Sequence, residues 1–230
     1  MIPEKKYSVI IVAGGKGVRA GGDIPKQFQL LGEKPMLMYT IQAFYDYDYR
    51  VKIILVLPDG FDGYWKGLCE KHQFNVPHKI IMGGATRFQS VKNGLVEVSD
   101  DEIVAVHDGA RPFVTSQLIA RCFDIAFTKQ CGVVPVIDEV NSVRFVTQRG
   151  STIADRQSLK IVQTPQVFPA SALKKAYETD FDSSFTDDAS VAEKDGVKIE
   201  LLSGEETNIK ITTPFDLFIG KQYLHLMTNR

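Results

Sequence analysis

The sequence has almost no excess of charge of either sign: 27 Lys plus Arg stand against 28 Asp plus Glu over 230 residues. A chain without a basic surplus has no electrostatic case for binding nucleic acid or an anionic membrane surface, so its expected partners are small anions held by local clusters of cations. Cysteine is scarce. Cys69, Cys122 and Cys131 are an odd number without metal-ligand spacing, each in or beside an apolar stretch, which excludes a disulfide framework and leaves buried free thiols in a reducing compartment as the expectation. No apolar run is long enough to span a bilayer, and Met1-Ile2-Pro3-Glu4-Lys5-Lys6 has no apolar signal region, so a cytoplasmic protein is expected. Internal repeats and low-complexity segments are also missing. The length suits one large domain, residues 1–230, with a substantial core.

What is present is an alternation. Short β-branched runs at Val9–Val12, Val51–Leu57, Lys79–Ile81, Ile103–Val106 and Val133–Ile137 are separated by Pro35–Tyr45, Tyr64–His72, Thr86–Val96 and Ser116–Phe127, whose apolar residues recur at helical spacing. This pattern predicts an α/β fold with a mostly parallel sheet flanked by helices. Ligands of such sheets gather at the carboxyl ends of the strands, where this chain places Gly14, Gly83-Gly84, His107-Asp108-Gly109-Ala110-Arg111-Pro112 and Asp138. Between Asp138 and Gln163 the pattern changes: Val143–Val146 and Ser151–Ala154 flank Gln148-Arg149-Gly150, which predicts a β-hairpin arm over 138–163. Beyond it come a turn at Gln163-Thr164-Pro165-Gln166, helices over Ser171–Thr179 and from Thr186 as N-cap, strands at Lys198–Leu202 and Asn208–Ile211, and a closing helix from Pro214 to about Leu226.

The first strand runs into Gly14-Gly15-Lys16-Gly17-Val18-Arg19, followed by Pro25-Lys26-Gln27-Phe28. Glycines let backbone N–H groups approach phosphate oxygens, and Arg19 and Lys26 supply charge against a phosphoryl group under attack, so the segment reads as a nucleoside triphosphate cradle. The spacing lacks the Gly-Lys-Ser/Thr of a P-loop, and Ala20 stands where the dinucleotide fingerprint asks for a third glycine. His107, a single histidine adjoining a strand, reads as structural.

Seven segments then occur in order: strand-A-G-G-x-G-x-R, P-K-Q-F, G-G-x-x-R-x-x-S-V, H-D-x-A-R-P, Q-T-P-Q-x-F, T-D-D-A-S and N-I-K-I-T-T-P. In this combination the chain resembles the 2-C-methyl-D-erythritol 4-phosphate cytidylyltransferase family over nearly its whole length. The resemblance implies a Rossmann-like nucleotide-diphospho-sugar transferase fold whose β-arm interlocks two subunits. It also implies an enzyme of isoprene biosynthesis that joins CTP to a sugar-alcohol phosphate with release of pyrophosphate. Arg19 and Lys26 match the family's transition-state stabilisers, while Arg156, reaching the partner's site, and Lys210 match the residues that position the attacking phosphate. The nucleotide would lie on Ala13, Gly14, Gly15, Gly17, Gly83 and Gly84, with Ser90 near the base or ribose, Asp108 at the ribose or a divalent ion, and Arg111 on phosphate. Thr164 and Thr186 would line the sugar-phosphate pocket.

Mg²⁺ is implied mainly by the triphosphate, which binds hard cations with its own oxygens, and Asp108 is the protein's candidate ligand. Asp187 and Asp188 form a carboxylate pair that the dipole at a helix start explains as well as a metal does. One departure concerns Asp138-Glu139-Val140, where the family usually has Asp-Thr: a carboxylate beside a bound phosphate is repelled, so Glu139 must point away or the register must differ. Ala20 stands where the family commonly has Met, a packing difference. Two alternatives remain open at this point. A ribitol-5-phosphate cytidylyltransferase shares most of these motifs, although Asp155-Arg156-Gln157-Ser158-Leu159 is closer to the methylerythritol pattern, and a non-catalytic nucleotide-binding protein would have no use for four cations aimed at a transition state.

Overall fold

The computed structural model of the chain describes residues 6–14 and 25–228. In chain order the elements are β1 (Tyr7–Val12), β2 (Leu30–Leu31), β3 (Lys34–Pro35), α1 (Met36–Tyr47), β4 (Lys52–Leu57), α2 (Asp62–Lys71), β5 (Lys79–Met82), α3 (Arg87–Leu95), β6 (Ile103–Asp108), α4 (Ser116–Lys129) and β7 (Gly132–Asp138). The second half adds β8 (Arg144–Thr147), β9 (Gly150–Ile153), β10 (Lys160–Val162), β11 (Gln166–Pro169), α5 (Ala170–Ala176), α6 (Asp188–Lys194), β12 (Ile199–Ser203) and α7 (Pro214–Thr228).

The main sheet runs β5-β4-β1-β6-β11-β7, with β10 beside the end of β7 and β12 parallel along the other edge of β7. Both faces are covered, and the alternation of side chains along each strand assigns them. Val9 and Ile11 of β1 with Ile53 and Leu55 of β4 meet Leu37 and Ile41 of α1, Trp65 of α2 and Phe123 of α4. Ile10, Ile54, Val104 and Val106 face the other way, against Val91 and Leu95 of α3, Leu173 of α5 and Val191 of α6. Gly94 of α3 has no room for a side chain, because a Cβ there would lie 2.8 Å from Ile10 Cγ2. The close approach of α3 to β1 is therefore built on that glycine, and it places the start of the helix beside the first strand's loop.

The predicted parallel strands are all present, and so is the hairpin, as a separate two-stranded sheet pairing Arg144 with Ile153 through Thr147 with Gly150. Three expectations are corrected. Gln166 does not close a turn; it begins β11, which inserts antiparallel between β6 and β7, and the bend is confined to Thr164 and a cis-Pro165. Asn208–Ile211 forms no strand, because the sheet edge beside β7 is already taken by β12 and the segment is fixed instead by single bonds, Ile211 N to Ala110 O at 2.9 Å and Asn208 Nδ2 to Thr164 O at 2.8 Å. The N-cap of α6 is Asp187, not Thr186: its carboxylate accepts from Ser190 N at 2.9 Å while Ser190 Oγ accepts from Asp187 N at 3.2 Å, a capping box with the charge favoured by the helix dipole.

Cys122 and Cys131 are buried, Cys69 half-buried, and all three are free thiols; burial pushes Cys122 up to about 12 and Cys69 to about 11, which keeps both unreactive. Among the described residues no helix is long and apolar enough to cross a membrane.

Candidate active site

Two neighbouring constellations stand at the carboxyl ends of the parallel strands. The first is glycine-walled. Gly14 after β1 and Gly83-Gly84 after β5 border a cavity of about 650 Å³ shared with Pro25, Pro58, Asp59, Phe61 and Ala85. A Cβ would be tight at all three glycines: 3.0 Å from Ser90 Oγ at Gly14, 2.9 Å from the same oxygen at Gly83, and a clash at 2.1 Å from Gln89 Cγ at Gly84. A flat main chain is thus exposed where a planar ligand can approach. Ser90 is buried beneath this wall, where its hydroxyl donates to Thr86 O at 2.9 Å and accepts from Gly84 N at 3.1 Å. Its one proton is therefore spent, and only an acceptor lone pair is left.

Lys26 opens a short 3-10 turn, Lys26–Phe28, directly after Pro25, and the turn is tied to the first strand by Gln27, whose buried Nε2 donates to Ala13 O at 2.6 Å. Ala13 N is already bonded to Val56 O at 2.9 Å, so both backbone groups of Ala13 hold the scaffold. Gln27 is a positioning residue that motif reasoning passed over, although its place between Lys26 and Phe28 was visible. Gly15, Gly17 and Arg19 lie outside the described residues.

The second constellation is a charge cluster around Asp108 at the end of β6. Its Oδ2 faces Lys210 Nζ at 2.9 Å and Arg111 Nε at 3.4 Å, and its Oδ1 faces Arg87 Nε at 3.7 Å. Burial opposes ionisation of this carboxyl, but the charges of Arg87, Lys210 and Arg111 outweigh it and hold the group well below the usual carboxylate range. Arg87 in turn grips Asp188 with both terminal nitrogens, at 2.9 and 2.6 Å, and Tyr177 OH donates to the same carboxylate at 2.7 Å. Burial works against the Arg87 charge, yet Asp188 and Asp108 more than offset it. Three cations face two carboxylates, so a positive charge is left over at the place where Lys210 meets solvent.

Several expectations are sharpened by this geometry. Arg111 is buried, with Nη1 donating to Asn208 O at 2.7 Å and Nη2 to Val162 O at 3.3 Å, so it staples the Lys210 segment to the sheet. His107 is structural, as read from the sequence. Its Nε2 donates to Arg111 O at 3.1 Å, and burial depresses the imidazole to about 4, so the neutral ring accepts at Nδ1 from Thr164 Oγ1 at 3.0 Å. Thr164 Oγ1 also accepts from Asp108 N at 3.1 Å, which places this buried threonine directly beneath Asp108. Thr186 is exposed beside Arg87 and Tyr177 in a small cleft. Asp188, the second carboxylate of the Asp187-Asp188 pair, is an ion-pair partner, and among the described residues no three His, Cys, Asp or Glu side chains form a metal site. The partnership of Arg87 with Asp188 had no sequence signal, being 101 residues apart.

Within one chain Arg156 does not join either constellation. It is exposed at the base of the arm, in the 3-10 turn Arg156–Ser158, and donates to Val140 O at 2.8 Å. Glu139 turns back onto its own loop, where Oε1 accepts from Asn141 N at 2.6 Å. Asp138 pairs with Lys160 across β7 and β10.

Comparison with known proteins gives one consistent answer. The family model described as IspD, 2-C-methyl-D-erythritol 4-phosphate cytidylyltransferase, matches residues 7–226. Two relatives with that name are 53% identical over 219 residues in Bacteroides thetaiotaomicron, covering 95% of this chain and 100% of theirs, and 55% identical over 213 residues in Phocaeicola vulgatus, covering 93% and 97%. The crystal structure of the Thermus thermophilus protein of that name superposes with a TM-score of 0.78 at 29% identity, over 96% of this chain and 99% of that one. The 4-diphosphocytidyl-2C-methyl-D-erythritol synthase of Anaerococcus prevotii gives a TM-score of 0.81 at 26% identity, over 96% of both chains. With a glycine-walled cavity beside a cation-rich cluster on a largely parallel sheet, and with matches of this extent, the chain belongs to the 2-C-methyl-D-erythritol 4-phosphate cytidylyltransferase family.

Proposed function

We propose that this chain transfers the cytidylyl group of CTP to 2-C-methyl-D-erythritol 4-phosphate, giving 4-diphosphocytidyl-2-C-methyl-D-erythritol and pyrophosphate. The observation that carries the reading is the adjacency of the two constellations, one shaped for a flat base and the other carrying surplus positive charge. An oxygen of the acceptor's phosphate attacks the α-phosphorus of CTP, and pyrophosphate leaves from the opposite side. Two polyanions repel, so the protein's contribution is placement in line and compensation of charge. The base rests on Gly14, Gly83 and Gly84, and the lone pair left on Ser90 Oγ suits an amino-group donor such as that of cytosine. Lys26 and Arg19 act on the phosphates of CTP as charge accumulates in the transition state. Lys210 receives the acceptor's phosphate by exchanging part of its pairing with Asp108.

Mg²⁺, when bound, neutralises and orients the triphosphate. The residues fit a cation that arrives on CTP with its own waters, since Asp108 is one carboxylate already surrounded by cations and not a cage; its Oδ1, beyond hydrogen-bond distance of Arg87, is the oxygen that would face such an ion.

The working unit is a homodimer in which the 138–163 arm crosses to the partner and delivers Arg156. Support comes from the independent pairing of β8 with β9 and from exposed Phe145, Val146 and Ile153 on that hairpin, apolar surface of a kind that association covers. The test is pyrophosphate release with purified protein, Mg²⁺ and CTP, offering methylerythritol phosphate and ribitol 5-phosphate separately. Turnover with the first and little with the second is expected; product with ribitol phosphate alone would overturn the assignment of the acceptor.

A further inference from the structure

The pair of Arg87 and Asp188, whose carboxylate is fully buried, stands one residue removed from Lys210, through Asp108. The chain of contacts runs Tyr177, Asp188, Arg87, Asp108, Lys210, and its geometry is uneven. Asp188, fully buried, takes both terminal nitrogens of the guanidinium at 2.6–2.9 Å, whereas Asp108 sees only the Nε edge of that group at 3.7 Å. Lys210, by contrast, meets Asp108 at 2.9 Å. A guanidinium is built to bind a carboxylate through two parallel bonds, and an ammonium is a single point charge, so an Arg87 released from Asp188 would outcompete Lys210 for Asp108.

We propose that Asp188 is a positioning residue for the acceptor's phosphate: by holding the fork of Arg87 it keeps Asp108 available to Lys210, and so keeps Lys210 at the pocket. Tyr177 contributes by fixing Asp188 through its hydroxyl. Capping of α6 is separate, being carried by Asp187 and Ser190, so the charge of Asp188 is not needed to form the helix. This inference rests on the assignment of Lys210 to the acceptor made above.

The test compares D188N with the double variant R87Q/D188N. D188N keeps the shape but frees the guanidinium, and is expected to raise KM for methylerythritol phosphate about tenfold while KM for CTP moves less than about twofold. The double variant removes the competing guanidinium together with its partner, so neither charge is left uncompensated, and should return the acceptor's KM to within about threefold of the unmodified protein. A purely structural pair predicts the opposite order, with the double variant no better than the single. That order, or equal changes in both KM values, or no change in either, would overturn the proposal. Should D188N fail to fold, Y177F, which deletes the hydrogen bond from the hydroxyl to the Asp188 carboxylate, is expected to raise the acceptor's KM about threefold and leave that of CTP alone; an unmoved acceptor KM overturns the proposal equally. Unmodified protein that fails to turn over methylerythritol phosphate would instead refute the functional assignment.

Discussion

Replacing Lys26 with alanine is expected to lower kcat by on the order of a hundredfold or more while the dissociation constant for CTP changes only a few-fold. The asymmetry follows from how the backbone carrying Lys26 is held. Pro25 restricts the backbone immediately before it, the 3-10 turn Lys26–Phe28 fixes the residues after it, and the Gln27 side chain bolts that turn to Ala13 at the end of β1. The aromatic ring of Phe28 anchors the far side by packing against Phe61, Tyr64 and Trp65. On the proposed reading, a backbone held in this way lets Lys26 compensate charge that develops during reaction with little reorganisation. Binding of CTP, on the same reading, draws instead on the glycine wall and on contacts to the base. Initial-rate measurements of pyrophosphate release with calorimetric titration of CTP in the absence of acceptor separate the two quantities. An unchanged kcat would remove Lys26 from the transition state.

Arg156→Ala is expected to cost on the order of a hundredfold in kcat/KM for the acceptor, as loss of a charged two-bond grip on phosphate should. Co-expression of this variant with Lys26→Ala should then restore activity. In the mixed dimer one site combines the intact Lys26 of one subunit with the intact Arg156 of the other, while the second site lacks both. Random association makes half of the dimers mixed, with one working site in two, so about a quarter of the unmodified activity is expected. The prediction depends on the arm crossing between subunits: Arg156 is exposed, and among the described residues of its own chain it bonds to the neighbouring Val140 carbonyl in the same arm region. If Arg156 served its own chain, each subunit would carry a lesion in its one site and mixing would restore nothing. A protein that is active yet sediments as a monomer would lead to the same conclusion.

Much of the fold was legible because parallel strands buried on both faces are written as unbroken β-branched runs such as Val9–Val12 and Ile103–Val106. Strand β11 was not, since its four residues begin with Gln166 and end with Pro169 and sit against a Thr-Pro bend, so the composition reads as turn while the pairing with β6 and β7 is made by tertiary structure. In the candidate site, residues next to a strand end are singled out by topology alone: Gly14, Gly83, Asp108. Lys210 and Arg156 were found only through the family resemblance, because a lone cation in a loop has no periodicity to mark it. Least visible were Arg87, Asp188, Asn208 and Gln27, which contribute by bonding to residues far away in sequence; their importance lies in pairs and not in any local pattern. Arg111 is a cation beside the site whose three guanidinium nitrogens each bond within the chain, to Asp108 and to the carbonyls of Asn208 and Val162, contacts that no local pattern announces.

The central claim is that an oxygen of the acceptor's phosphate attacks the α-phosphorus of CTP at this site. It is tested most directly by supplying methylerythritol phosphate with ¹⁸O in its phosphate oxygens and following the products by ³¹P NMR. All of the label should stay on the acceptor's phosphorus, including the oxygen that bridges to the cytidylyl phosphorus, and pyrophosphate should be unlabelled. Label in pyrophosphate, or an unlabelled bridge, would contradict the account.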